Sequence, residues 1–414
     1  MAFAQSLISA PLVVLTGAGA SSPLGLSTTA EYFKDRWPSI VGRLDPQERS
    51  VAQAIVSEFG VVLEWPAPDV SIKDVETLLT LIQERGEAAK ALAASRVFTS
   101  DIREKLRDHG RFSDGVLRAI YGDLIRHYGN ADGTAAANLY EGLFSGLAAW
   151  FAELRPGKTL PIFTLNYDTA IESAVKVLNE RGSQPIRLVD GLTDASAVVG
   201  RTWSAREFEN YEERYDQLGV VLVKLHGSVR WGRDETDPNG HIAELPSRIG
   251  MDPEPYRHVV LYPTLGHKPL EQEPFRSGYR LLRACLRGAK MVLAIGTSLR
   301  DQELVAELRD AIEENSSLHL VVLGPGEDFQ AVADRVGVDR GRVAAIDARF
   351  QANAAGFNEQ AFLFSLLRDL SRSVAGIARQ WNPGMAFCGT YELRPPGKPG
   401  KPGDRAWHRV DPPE

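Results

Sequence analysis

Four apolar runs lie far apart in this chain, and each passes directly into small and polar residues. They are Leu12-Val13-Val14-Leu15-Thr16-Gly17-Ala18-Gly19-Ala20-Ser21, Thr164-Leu165-Asn166-Tyr167-Asp168, Lys224-Leu225-His226-Gly227-Ser228 and Ala294-Ile295-Gly296-Thr297-Ser298. A short apolar run closed by turn residues is the pattern of a buried strand. Strands that alternate with helices build a mostly parallel α/β sheet with right-handed crossovers. In open sheets of that kind ligands bind beyond the carboxyl ends of the strands, so the four tips are expected to line one pocket.

Further strand patterns fall at Leu160–Leu165, Val220–Leu225, His258–Leu261, Lys290–Ile295, His319–Leu323 and Arg342–Ile346, with helical periodicity after several of them, as in Gln302–Ile312. Between Asp74 and Leu147 the period is helical throughout: Val75, Leu78, Leu79 and Ile82, then Leu117, Ile120, Leu124 and Ile125, then Leu139, Leu143 and Leu147. The pattern predicts an all-helical insertion, residues 38–152, after the first βα unit of a domain built from residues 11–37 and 153–350. A C-terminal helix within residues 351–381 carries Phe362, Leu363, Leu366, Leu367 and Leu370 on one side. The Pro/Gly/Lys-rich tail, residues 382–414, is expected to stay extended, because it has too little apolar surface to offset its ordering entropy.

At 43% hydrophobic and 24% charged residues, 414 residues suffice for a full core. Acidic side chains outnumber basic ones, 54 to 47, which argues against nucleic acid as the default partner. The two cysteines, Cys285 and Cys388, are too few for a disulfide framework or a four-cysteine zinc site, and read as thiols of a reducing cytoplasm. No leader-like pattern opens the chain and no apolar stretch reaches membrane-spanning length, so secretion and membrane insertion are not expected.

Each motif has a plain reading beside the functional one. Gly17-Ala18-Gly19 lets backbone approach a ligand, with amides and the Ser21 hydroxyl toward phosphate, or it is a tight turn packing helix on sheet. Asn166 and Asp168 end a strand and open a helix; one of them is expected to cap it, while the two together could grip ribose hydroxyls or a water. His226 stands at a strand tip among small residues, a setting for general acid–base work. Gly296, Thr297 and Ser298 offer amides and hydroxyls to a ribose or phosphate, and Asp301 is either a helix cap or a ligand contact. The other histidines show no such setting, and no pair of them has metal-ligand spacing.

Taken in order, Gly-Ala-Gly-Ala-Ser, Thr-Leu-Asn-Tyr-Asp, Leu-His-Gly-Ser and Gly-Thr-Ser resemble the signature of the sirtuin superfamily, NAD-consuming enzymes on a Rossmann-like sheet. The resemblance implies that Gly17, Ala18, Gly19 and Ser21 lie against the NAD+ phosphates and that Asn166 and Asp168 hold the nicotinamide ribose and a reactive water. It also implies that His226 is a base toward the ribose hydroxyls and that Gly296, Thr297 and Ser298 serve the cofactor's adenosine side, while Asp301 stays a cofactor contact or a cap.

Protein-deacylating sirtuins follow the glycine loop with Gly-Ile-Pro-Asp-Phe-Arg, where this chain has Gly25-Leu26-Ser27-Thr28-Thr29-Ala30. They carry Gln where Leu165 stands, and two Cys-x-x-Cys pairs that are absent here, so no zinc ribbon and no metal are expected. What remains resembles the bacterial sirtuin-like branch that hydrolyses NAD+ in antiphage defence. The helix start Asp74-Val75-Glu76-Thr77-Leu78-Leu79, and Tyr262-Pro263-Thr264 with Lys268, are softer likenesses to that branch. The resemblance implies a cytoplasmic NAD+ glycohydrolase, a homo-oligomer, and a HerA-type hexameric ATPase as partner. A protein deacylase or ADP-ribosyltransferase, and a non-catalytic NAD or ADP-ribose sensor, are the alternatives.

Overall fold

The computed structural model describes residues 3–58, 75–129, 131–154, 158–182, 185–193, 201–234, 236–237, 240–245, 256–261, 269–347, 350, 389–393 and 407–410. After a short helix α1 (Gln5–Ile8), strand β1 (Leu12–Thr16) leads into the one-turn helix α2 (Ala18–Ser21). Among the described residues five α-helices follow before the sheet resumes: α3 (Thr29–Val41), α4 (Pro46–Glu58), α5 (Val75–Ala94), α6 (Ser100–Tyr128) and α7 (Gly133–Leu154). Next come β2 (Thr159–Thr164), α8 (Ala170–Arg181), β3 (Ile186–Val189), α9 (Arg206–Glu209) and β4 (Leu218–Lys224). A small excursion, β5 (Gly227–Asp234), β6 (Ile242–Glu244) and β7 (Tyr256–Val260), precedes α10 (Phe275–Gly288), β8 (Met291–Ile295), α11 (Gln302–Glu314), β9 (His319–Leu323), α12 (Phe329–Val336) and β10 (Val343–Asp347). The last two described strands are β11 (Gly389–Leu393) and β12 (Trp407–Val410).

The main sheet runs β12-β11-β10-β9-β8-β1-β2-β4-β3, and every neighbouring pair is parallel except β11 with β12. This is the α/β, Rossmann-like, mostly parallel sheet expected from the sequence. Strands β1, β2, β4 and β8 are buried along their whole length, as sheets covered by helices on both faces must be. Alternate side chains divide between two cores. Val14, Ile162, Leu222 and Leu293 pack with Phe144 and Leu147 of α7 and Ala174 of α8, whereas Val13, Phe163, Val223 and Val292 pack with Leu282, Leu308 and Val332 of α10, α11 and α12.

Register brings the tips level. Thr16 pairs with both Thr164 and Ile295, and Thr164 pairs with Lys224, so the last residues of β1, β2, β4 and β8 form one row. Chain order leaves β1 toward β2 on one side and reaches β8 on the other. The β1/β8 junction is therefore the topological switch point, where open sheets leave a crevice at the carboxyl edge.

Helices α3 to α6 have their own core, including Tyr32, Trp37, Ile40, Ile82, Val116 and Ile120, which also takes in Val229 of β5 and touches Tyr167, whereas α7, expected as part of the insertion, packs on the sheet. Asp123 ties α6 to α3. Its carboxylate accepts from Arg36 Nε and Nη2 (both 2.9 Å), Arg43 Nη1 (3.1 Å) and Tyr32 Oη (3.0 Å). Burial pushes this carboxyl up, but the hydrogen bonds from Arg36 and Tyr32 and the two guanidinium charges outweigh it and hold the group below its ordinary value.

Three sequence expectations differ from what the fold contains. The boundary at 37/38 passes through α3, because Pro38 removes one helical hydrogen bond without stopping the helix. The run His258–Leu261, read as a strand of the parallel sheet, belongs with β7 to a separate antiparallel sheet, β6-β5-β7. The cause is local: Gly227, at φ +81°, turns the chain straight back from the β4 tip, where a Cβ would stand 2.0 Å from Val259 O. The tail is not wholly a lone extended segment. Thr390–Leu393 and Trp407–Val410, free of Pro and Gly, supply β11 and β12, and only β12 is left at that edge of the sheet. The expected helix within 351–381, Asp74, Tyr262-Pro263-Thr264 and Lys268 lie outside the described residues.

Candidate functional site at the strand tips

Two loops interlock at the β1/β8 junction. Gly17 N donates to Ile295 O (3.0 Å), Gly19 N to Gly296 O (2.8 Å) and Gly296 N to Leu323 O (2.9 Å). A Cβ on Gly17 would lie 2.7 Å from Thr297 Cα, and one on Gly19 2.9 Å from Gly296 Cα. On Gly296, whose φ is +61°, it would lie 2.2 Å from Ala20 N. Loop-on-loop packing therefore demands all three glycines before any ligand is considered. With Ala20 N on Gly17 O (2.9 Å), the amides of Gly17, Gly19 and Ala20 are engaged within the protein. Ala18 and Gly19 are half-buried, and Ser21 is buried with its hydroxyl toward Asn166.

Asn166 joins the β2 tip to this loop. Its main-chain N donates to Thr164 Oγ1 (3.0 Å), and its Nδ2 donates to Gly17 O and to Ser21 Oγ (both 3.0 Å). With both amide hydrogens engaged, Oδ1 is the atom left to receive a donor from a ligand. Asp168 stands one residue before the N-cap, Thr169, and its Oδ1 accepts from Ala170 N (2.9 Å), a free amide of the first turn of α8. Its Oδ2 is buried and meets no hydrogen-bond partner.

His226 stands just past β4 with Nε2 3.1 Å from Asp301 Oδ2. That is an ion-pair distance, without the alignment of a hydrogen bond in this conformation. Asp301 also caps α11, accepting from Leu304 N at Oδ1 (2.9 Å). The sequence left Asp301 between cap and ligand contact; the fold makes it the cap and the carboxylate beside His226. A carboxylate there favours a hydrogen on Nε2 and leaves Nδ1 as the basic nitrogen. Between Ser298 and Asp301 the turn passes through Leu299 at φ +50°, a strained value for a side-chain-bearing residue. Thr297 is buried, with Oγ1 accepting from Leu299 N (3.2 Å), and Ser298 is exposed, with its carbonyl held by Arg335 Nη1 (2.9 Å).

Tyr167 was not singled out in the sequence, yet it links the two tips. Its hydroxyl donates to Leu261 O (2.6 Å), while Leu261 N donates to His226 O (2.8 Å). The Tyr167 ring lies 6.5 Å, centroid to centroid, from the His226 imidazole and edge-on to Tyr128 of α6. Lys224 was missed as well, although a charge closing an otherwise apolar strand was the available signal. Its side chain is 2% exposed. The residues chosen from the sequence thus fall on one edge of the sheet, and most are joined by direct contacts. Among the described residues no group of three or more His, Cys, Asp or Glu stands ready to hold a metal.

Comparison with known proteins agrees with this geometry over part of the chain. Residues 161–339 match the SIR2-like domain. That span runs from β2 through α12 and takes in Asn166, Asp168, His226 and Gly296–Asp301, but not the Gly17 loop. No curated protein matches. Among solved structures, a mutant Sir2 homologue in complex with 2′-O-acetyl ADP ribose is 16% identical at a TM-score of 0.38, covering 88% of this chain and 94% of that one. A Sir2 homolog–NAD complex is likewise 16% identical at 0.38, covering 88% and 93%. Overlaps this loose add nothing to the SIR2-like match.

Proposed function

We propose that the protein is an NAD+ hydrolase that releases nicotinamide and ADP-ribose. The observation carrying this reading is the chain of contacts along the sheet edge: Asn166 bound to Gly17 and Ser21, His226 beside Asp301, and Tyr167 and His226 both held by Leu261. These groups suit a dinucleotide in contact chemistry. Asn166 Oδ1 and Asp168 Oδ2 are acceptors for ribose hydroxyls or a water, and His226 Nδ1 is a base. The half-buried turn at Ala18 and Gly19 is the expected phosphate side.

In the reaction, water oxygen bonds to the ribose carbon while the glycosidic C–N bond breaks and its electron pair neutralises the nicotinamide ring. The water proton passes to His226 and then to solvent. Nicotinamide is a good leaving group, so positioning and electrostatics carry the rate. Asn166 orients the water, and the Asp168 carboxylate faces positive charge developing at the sugar. Ser27, just before the three residues that stand where deacylases have Asp, Phe and Arg, is anchored here to helices. Ser27 Oγ donates to Asp35 Oδ2 (2.8 Å), Ser27 N to His127 Nε2 (3.0 Å), and Tyr128 Oη to Ser27 O (2.7 Å). The acceptor proposed is water and not an acyl-lysine because Thr28, Thr29 and Ala30 replace that Asp, Phe and Arg.

Antiphage defence by NAD+ depletion, assembly as a homo-oligomer and partnership with a HerA-type ATPase belong to the same proposal and rest on the sequence resemblance. The deciding assay measures nicotinamide release from NAD+ with and without an acetylated peptide, on the chain alone and with its candidate ATPase. Equal release without peptide supports the hydrolase. Peptide-dependent release would make the protein a transferase or deacylase, and tight binding with no release in either preparation would make it a sensor.

A further inference from the structure

The proposed chemistry leaves unused a charged pair at the strand tips. Lys224, the last residue of β4, sends its ammonium under the β2 tip. There it donates a short hydrogen bond to the main-chain oxygen of Asp168 and lies 3.1 Å from Glu172 Oε1 in the first turn of α8. Glu172 keeps 21% of its side chain exposed, but its Oε2 is enclosed without a hydrogen-bond partner. Burial pushes the Glu172 carboxyl above its ordinary value, against the opposing pull of Lys224. Asp190, which faces Glu172, is held by Arg201 Nη2 at 2.6 Å.

A lysine in this place is costly unless it is paired, because desolvating an ammonium must be offset by close partners. An apolar residue would fill the end of β4 at no such cost. What the ammonium adds is a bond across strands to the turn that carries Asn166 and Asp168. On the hydrolase reading, Asp168 presents its one unpartnered oxygen to the ribose.

We infer that Lys224 is a positioning residue for Asp168: its ammonium clamps the Asp168 main chain to the β4 tip that carries His226, and Glu172 balances its charge. The inference rests on the reading of Asp168 as a ribose-facing group. It assigns the two members of the pair unequal work. Lys224 holds the turn through its bond to the Asp168 main-chain oxygen, whereas Glu172 touches the ammonium and compensates its charge.

The test compares Lys224→Met, Lys224→Arg and Glu172→Gln in the full chain, using NAD+ cleavage kinetics and hydrogen exchange of the turn at residues 165–170. A misplacement of about 1 Å at a reacting group costs on the order of 10²-fold in rate. Lys224→Met is expected to lower kcat by roughly that factor with KM little changed and to speed exchange of the turn. Lys224→Arg is expected to recover part of the loss, and Glu172→Gln to stay within about 5-fold of the parent. Equal losses from Glu172→Gln and Lys224→Met, or a turn whose exchange is unchanged in Lys224→Met, overturn the inference. Should Lys224→Met fail to fold, Lys224→Arg decides: a turn that exchanges at the parental rate alongside a lowered kcat rejects the clamp. Should the parent cleave no NAD+, the hydrolase reading falls, while hydrogen exchange still reports whether Lys224 holds the turn.

Discussion

Replacing Asn166 with Ala separates the structural work of this residue from its proposed chemistry. The substitution deletes two hydrogen bonds, Nδ2 to Gly17 O and to Ser21 Oγ, each 3.0 Å long and buried. At about 0.5–1.5 kcal/mol per bond the loss is ~1–3 kcal/mol, which moves the melting temperature of a chain this size by only a few degrees. The main-chain bond to Thr164 Oγ1 is untouched, so the turn keeps one tether. Catalysis should suffer far more. Losing the group that orients the nucleophile typically costs about 10²–10³-fold, and the slackened contact with Gly17 adds to it. The assay pairs nicotinamide release, followed by chromatography, with a thermal melt on the same preparation. A variant that melts within a few degrees of the parent and still cleaves NAD+ within 3-fold of its rate would show that Asn166 only stitches two loops together.

Asp301→Asn keeps a good helix-capping side chain but removes the charge beside His226, so the melting temperature should hardly move while NAD+ cleavage falls by about 10²-fold; equal rates would dismiss Asp301 as His226's partner. Gly296→Ala places a Cβ 2.2 Å from Ala20 N at φ +61°, and should displace the Gly17 loop and abolish ADP-ribose binding measured by calorimetry; intact affinity would mean the loop does not contact the ligand. His127 Nε2 accepts from Ser27 N and so must be unprotonated, and burial, with the Arg36 charge, depresses its pKa. Its folded value lies below its unfolded value near 6.5, so its stabilising contribution is complete above that pH and is lost as pH falls below it. The melting temperature of the parent should accordingly drop faster than that of His127→Gln as pH falls below about 6.5, and parallel curves would refute the assignment.

Strand tips were legible because both faces of the sheet are covered. Leu12–Thr16 and Val220–Lys224 had to be continuous apolar runs, and their ends had to be marked by residues that can turn. The glycines were legible as a turn but not as a cause: that Gly17 and Gly19 make room for Gly296 and Thr297 is a contact across more than half the chain. For the same reason the partnership of His226 with Asp301 could not be read, since a helix cap looks alike whether or not its second oxygen faces an imidazole. His258–Leu261 misled because a short apolar run specifies a strand and not its sheet. Pro38 misled because a proline lowers the odds of a helix without forbidding one that tertiary packing supports.

Strands β1 and β2 are hydrogen-bonded neighbours, yet the whole helical insertion lies between them in the chain. Because the two strands run parallel, the insertion leaves at the carboxyl end of β1 and returns at the amino end of β2, so its entry and exit lie on opposite edges of the sheet at a separation fixed by the ladder. Lengthening such a closed excursion adds only a logarithmic entropic cost. The parts of the insertion away from Tyr167, Val229 and Ser27 can consequently diverge in size and surface while Gly17 and Asn166 stay in register.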